Sequence, residues 1–242
     1  MPDKFLFVDK GLLLESLERL RSRIRERFPK ASLGNIADAA AAVARKAQAR
    51  AESFGKPNWW LRGAAFAVLA ALFGLLAWVS LHLRLEFKEK DIQAAPAFVQ
   101  FFEAALSSTV ILGGASLFLF TLESRYKRTK TLAAIHELRS LAHIVDMHQL
   151  TKIPDHYLPQ TKRTAAAPAP QYTLFEVGRY LDYCSELLAM VGKIAVIYVE
   201  KSSDPVVLEA VDQIEDLTNG LSRKIWQKLT ILAQLAEGRG PV

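Results

Sequence analysis

The sequence predicts an all-α integral membrane protein in which a two-helix transmembrane hairpin carries a cytoplasmic helical bundle. Three observations lead there. Two stretches of 19 residues, Gly63 to Leu81 and Ala104 to Leu122, contain no Asp, Glu, Lys or Arg. At the helical rise each is about 28 Å long, close to the hydrocarbon thickness of a bilayer. Core helices of soluble proteins usually interrupt their apolar face with charge, whereas here the charge collects just outside both stretches. Finally, the rest of the chain repeats apolar residues at four-three spacing, the period of packed helices.

The flanking charge also sets the orientation. Val43 to Arg62 holds five Lys or Arg against one acid, and Glu123 to Ala142 holds five against two. The connecting loop, 82–103, has three basic residues against four acidic ones. The positive-inside rule then places both termini in the cytoplasm and the loop outside, with a bacterial inner membrane as the expected location. Across all 242 residues, 51% hydrophobic against 23% charged is ordinary for a globular protein, so the membrane signal is local. The net charge of +6 is accounted for by the basic residues around the spans, and nucleic acid is not an expected partner. Cys184 is the single cysteine, which excludes an intramolecular disulfide, and its place on an apolar stripe predicts a packed thiol. Met1 to Leu14 does not read as a signal peptide, because the apolar run Phe5 to Val8 is too short.

In chain order, residues 1–57 read as N-terminal cytoplasmic helices. Leu13, Leu17, Leu20 and Ile24 form an amphipathic stripe ending near Phe28-Pro29. Ser32 caps a second, Ala-rich helix with Ile36, Ala40, Val43, Ala47 and Phe54 on its seam, and Gly55-Lys56-Pro57 breaks it. Trp59 and Trp60 open the hairpin, residues 58–122, as headgroup-level anchors. Pro96 starts a helix that runs past Leu122 as a cytoplasmic stalk, 123–158, with no proline before Pro154. Residues 159–171 read as a Pro/Ala linker. The remainder, 172–242, reads as a helical hairpin. Thr173 and Glu176 form a capping box, and Leu174, Val177, Leu181, Cys184, Leu188, Val191, Ala195 and Tyr198 follow at four-three spacing. After a stop near Ser202-Ser203, Asp204 and Pro205 start a last helix lined by Val207, Ala210, Ile214, Leu217, Leu221 and Ile225, which runs out by Gly238. Two such helices cannot cover their own stripes, so this hairpin packs on the N-terminal helices, the stalk or another copy.

Three sets of residues are candidates for function. Gly63, Ala67, Ala70, Gly74 and Ala77 line one face of the first span with small side chains, and Ala105, Thr109 and Gly113 form a similar row on the second. Such rows let helix backbones approach, within one chain or between copies, and the pairing within one chain is expected. Arg125, Lys127, Arg128 and Lys130 follow the second span and suit lipid headgroups. His136, Arg139, Ser140, His143 and Asp146 form a polar face on the stalk, opposite Leu138, Leu141, Ala142 and Val145. The two histidines are about 10 Å apart along the axis, too far to hold one ion, so a contact with the cytoplasmic bundle is expected and no metal. His136-Glu137 resembles the start of a zinc-protease helix, but Ser140 stands where the second histidine belongs. Nucleophile elbow, phosphate loop and dinucleotide fingerprint are all missing.

No catalytic residue and no cofactor is therefore expected. The reading is a non-enzymatic two-span scaffold or regulator that presents a coiled-coil-like bundle to a cytoplasmic protein or to its own copies. The expected partners are the lipid bilayer, a homo-oligomer and a cytoplasmic protein. The alternative is an oligomeric ion channel or pore-forming effector, its pore lined by the second span with Ser107, Ser108 and Thr109 and ringed by Glu103 and Glu123. In span count and topology the layout is similar to small two-span bacterial membrane proteins, including two-helix defence effectors and uniporter-type channels. The Asp-x-x-Glu motif of the latter is absent from the loop.

Overall fold

Asp9 opens the first helix by accepting hydrogen bonds from the backbone N–H groups of Gly11 and Leu12 at 2.9 and 3.0 Å. In the computed structural model, which describes residues 8–54, 59–87, 95–157, 172–200, 202 and 204–238, every regular element is helical. They are α1 (Lys10–Arg27), α2 (Leu33–Phe54), α3 (Trp59–Phe87), α4 (Ala95–Leu150), α5 (Leu174–Val196) and α6 (Pro205–Ala236), with a 3-10 turn at Pro154–Tyr157. The chain divides into two units: Met1–Gly55 with Lys130–Val242, and Lys56–Thr129.

The first unit is a helical bundle with one core. Its first helix, α1, buries Leu13, Leu17, Leu20 and Ile24, as the four-three spacing predicts. Across from it, α2 buries Leu33, Ile36, Ala37, Ala40, Ala44 and Ala47, while Val43 is only half-buried. The seam is thus smaller than expected, and four alanines a turn apart let α1 and α2 pack closely. The side chain of Phe54 and the break at residues 55–57 lie outside what is described. At the centre is α5, which packs against α1, α2 and α6. Beside the predicted stripe it buries Tyr180, Tyr183, Leu187 and Ile194, so more than one face is covered.

The seam of α6 differs from expectation by one position. Val211 and Thr218 are buried where Ala210 and Leu217 were expected, and the latter two are half-buried. Gly192 on α5 gives the reason: a Cβ there would meet the Thr218 hydroxyl at 3.3 Å, so the helices cross too closely for leucine. The Thr218 hydroxyl donates to the Glu215 carbonyl at 3.1 Å and leaves no unpaired proton in the core.

The part of α4 after Thr129, read from the sequence as a stalk on which the C-terminal hairpin could pack, joins the first unit. Ala134, Ile135, Leu138, Leu141, Ala142 and Val145 belong to the bundle core. Polar ties flank this stripe. Arg50 of α2 reaches Glu137 at 3.3 Å, Arg139 donates to Gln213 of α6 at 2.7 Å, and Lys228 of α6 donates to the backbone and side-chain oxygens of Gln149 at 2.9 and 2.6 Å. A helix with a leucine and alanine stripe loses stability in water unless something covers it, which explains the docking. The capping box of Thr173 and Glu176 and the Asp204-Pro205 start both form as predicted. The linker, 159–171, lies outside the described residues.

The second unit contains α3 and the first part of α4. Both helices run past the ends of the apolar stretches, α3 to Phe87 and α4 from Ala95, so much of the expected loop 82–103 is helical. Loss of apolar character did not mark the ends, because His82 to Phe87 is still rich in leucine, a good helix former. Gly113-Gly114 does not interrupt α4.

Candidate functional site

In the second unit the side chains are arranged inside out. Among the described side chains of this unit only Leu69 and Leu112 are buried, to 9% exposure, whereas Phe66, Phe73, Leu75, Trp78 and Leu81 on α3 and Leu106, Val110, Ile111, Leu117 and Phe118 on α4 are all more than half exposed. Water does not tolerate an apolar face of this extent on a stable monomer. Among the described residues one helix, α4, is long and apolar enough to cross a membrane, while on α3 the described apolar stretch is the shorter Phe66–Leu75.

The small-residue rows are not paired with each other in this chain. Gly63, Ala67, Ala70, Gly74 and Ala77 are exposed, as are Thr109 and Gly113, and a Cβ built on Gly63, Gly74 or Gly113 would meet nothing within 4 Å. The side chain of Ala105 lies outside what is described. Among the described side chains the less exposed positions are instead Leu69 and Leu72 on α3, and Ser108, Leu112, Ala115, Ser116, Leu119 and Leu122 on α4. On α3 leucines took the covered side from the small residues, a choice that period alone could not predict.

Below the apolar part of α4 comes a basic and hydroxylic turn. Thr121, Ser124, Arg125, Arg128 and Thr129 line a concavity of about 590 Å³. Glu123 is held by Lys127 at 2.8 Å on the same helix, the favourable order of acid before base. The hydroxyls of Ser116, Thr121, Ser124 and Thr129 donate to carbonyls one turn back. Their protons are thus committed to the helix. Lys130, the last of the predicted headgroup residues, is exposed.

On the bundle, His136, Ser140 and His143 are exposed, with Arg139 and Asp146 half-buried. Of this face Arg139 makes the expected helix contact, through Gln213 of α6, while Asp146 accepts from Gln149 at 2.6 Å and its charge acts on Lys228 of α6. The histidines project from the side of α4 opposite its core stripe, so the bundle does not cover them. Among the described residues, no group of three or more His, Cys, Asp or Glu side chains is placed to hold a metal ion.

Sequence reasoning missed a cluster at one end of the bundle. The Lys152 ammonium lies 4.8 and 5.0 Å from the ring centres of Tyr172 and Tyr180, and Phe28 packs edge-on against Tyr172, Tyr180 and Tyr183. The Tyr157 hydroxyl donates to the Tyr172 carbonyl at 2.5 Å. Burial lowers the pKa of Lys152 and of Lys228, and pushes the nearby Cys184 thiol up to about 12. These residues join segments far apart in sequence, and no local pattern announces them. No family model, curated protein or solved structure matches the chain.

Proposed function

We propose that the protein is a two-span membrane scaffold or regulator, with no catalytic role, whose bundle faces the cytoplasm and binds a protein partner or a second copy. The observation that carries this reading is the composition of the bundle core. It takes α1 and α2 from before the apolar unit, and α4, α5 and α6 from after it. Both flanks of the apolar unit must then lie on one side of any membrane the chain enters, and a chain that leaves and returns crosses an even number of times. Since α4 is apolar enough to cross, α3 supplies the return. Helix α3, at 29 residues, is longer than a crossing requires. The basic excess on both flanks supports a cytoplasmic bundle.

Self-association is supported by the uncovered row on α3. Small residues that no helix of the same chain covers offer a close approach to another copy in lipid, where packing drives association. The channel alternative gains less, since Glu123, one of the two acids it invoked, is neutralised by Lys127.

The test is the mass of the detergent-purified protein. We expect a dimer or small oligomer that Gly74→Leu dissociates, while Leu75→Ala, 100 degrees around the same helix, leaves it intact. A monomeric wild type, or a Gly74→Leu oligomer of unchanged mass, contradicts self-association through this row.

A further inference from the structure

We propose that the concavity on α4 lined by Thr121, Ser124, Arg125, Arg128 and Thr129 is a binding site for one anionic phospholipid, with the phosphate held by the two arginines. The inference rests on the membrane reading above and adds a ligand to it. Arg125 and Arg128 are three residues apart, share a helix face and both line the concavity. Arg125 is exposed. Guanidinium is the side-chain group best matched to phosphate, because its fork of donors meets two oxygens at once. The adjacent acid does not oppose this, as Glu123 is paired with Lys127 at 2.8 Å.

A second observation supports a ligand with an apolar tail. At 100 degrees per residue, Leu117, Phe118, Gly114, Val110 and Ile111 continue the same face of α4 away from the arginines. Leu117 is 70% exposed, Val110 67%, Ile111 68% and Phe118 54%, whereas Leu112 on the packed side keeps only 9%. In the middle of this column Gly114 leaves a notch, where an added Cβ would meet nothing within 4 Å. From Arg125 to Val110 the helix rises about 22 Å, the scale of one leaflet's acyl chain with its glycerol. A phosphate-binding turn continuous with an open apolar column matches a phospholipid. Free phosphate would use only the first part.

The test is native mass spectrometry of the full chain, purified in detergent and titrated with phosphatidylglycerol, phosphatidylcholine or inorganic phosphate. We expect one phosphatidylglycerol retained per chain, much less phosphatidylcholine, and no displacement by millimolar phosphate. Arg125→Gln with Arg128→Gln should weaken phosphatidylglycerol by roughly thirtyfold, from the usual worth of two basic groups near an anionic surface. The charge-matched control, Arg223→Gln with Lys224→Gln on the bundle, should change nothing. Gly114→Leu puts a side chain into the notch, where the Cβ has room, and should weaken the lipid while leaving the arginines in place. Equal losses in the test and control pairs would reduce the effect to net charge and overturn the site. Displacement by inorganic phosphate, with no effect of Gly114→Leu, would overturn the lipid in favour of a simple anion site. If the wild type stayed in solution without detergent, the membrane reading itself would fall, and that outcome is separate from a membrane-integrated protein that ignores the arginines.

Discussion

At the scale of single residues, burial decides what each group can do. Cys184 is fully buried on α5, and its thiol is raised to about 12, so it should be inert at pH 8. We expect no reaction of the native protein with a thiol reagent and one equivalent per chain after denaturation. Fast reaction of the native form would mean that α5 is not central. Leu17, also at 0% exposure, should lose about 2–5 kcal/mol on Leu17→Ala, read as a fall in the denaturation midpoint, because a cavity opens in the seam of α1. These two positions were legible in the sequence, since four-three spacing places a residue on a face whatever the partner is. Thr218 was not. It sits in the seam because Gly192, on another helix, has no side chain, and a contact between positions 26 residues apart leaves no mark on either local pattern. Lys152 between two tyrosines was hidden for the same reason.

At the scale of elements, helix ends set by chemistry were readable and those set by packing were not. Thr173 accepts from the Glu176 N–H at 3.2 Å while the Glu176 carboxylate accepts from the Thr173 N–H at 2.8 Å. Thr173→Ala should therefore cost about 1 kcal/mol, measurable in the same denaturation experiment. Pro96 marked the start of α4, which begins at Ala95, whereas the end of α3 carries no such signal and overran the apolar stretch that defined it. Between α1 and α2 a charge network holds the register. Asp38 accepts from Arg25 and Arg21, which lower its pKa in that order, and Glu18, bonded to Arg21 and Arg45, is lowered as well. A depressed carboxylate stabilises the fold fully above its unfolded pKa of about 4, and that contribution is lost as pH falls through the lower folded value. We expect stability to decline below pH 4, and Asp38→Asn to flatten the decline while lowering stability at pH 7. The effect should be modest, because these side chains are about one-third to one-half exposed. An unchanged acid limb in Asp38→Asn would assign the decline to other groups.

At the scale of the whole molecule, the all-helical class and the bundle were legible, because every stripe outside the apolar unit needed a cover. What covers what was not. The later part of α4 read as a stalk with its apolar stripe of Leu138, Leu141, Ala142 and Val145 in plain view, but which helices bury that stripe left no mark on the local pattern. The reverse happened in the second unit, where small residues suggested a facing pair and the structure leaves them uncovered. The central claim is that one cytoplasmic bundle, built from both flanks, is tethered by an even number of crossings. It is tested most directly by labelling single cysteines with a membrane-impermeant maleimide in a Cys184→Ala background, at Lys30→Cys, Lys88→Cys and Lys224→Cys in turn. In intact cells Lys88→Cys should react, while Lys30→Cys and Lys224→Cys should react only after permeabilisation. Labelling of Lys30→Cys and Lys224→Cys from opposite sides would mean an odd number of crossings, which a bundle core shared by both flanks does not permit.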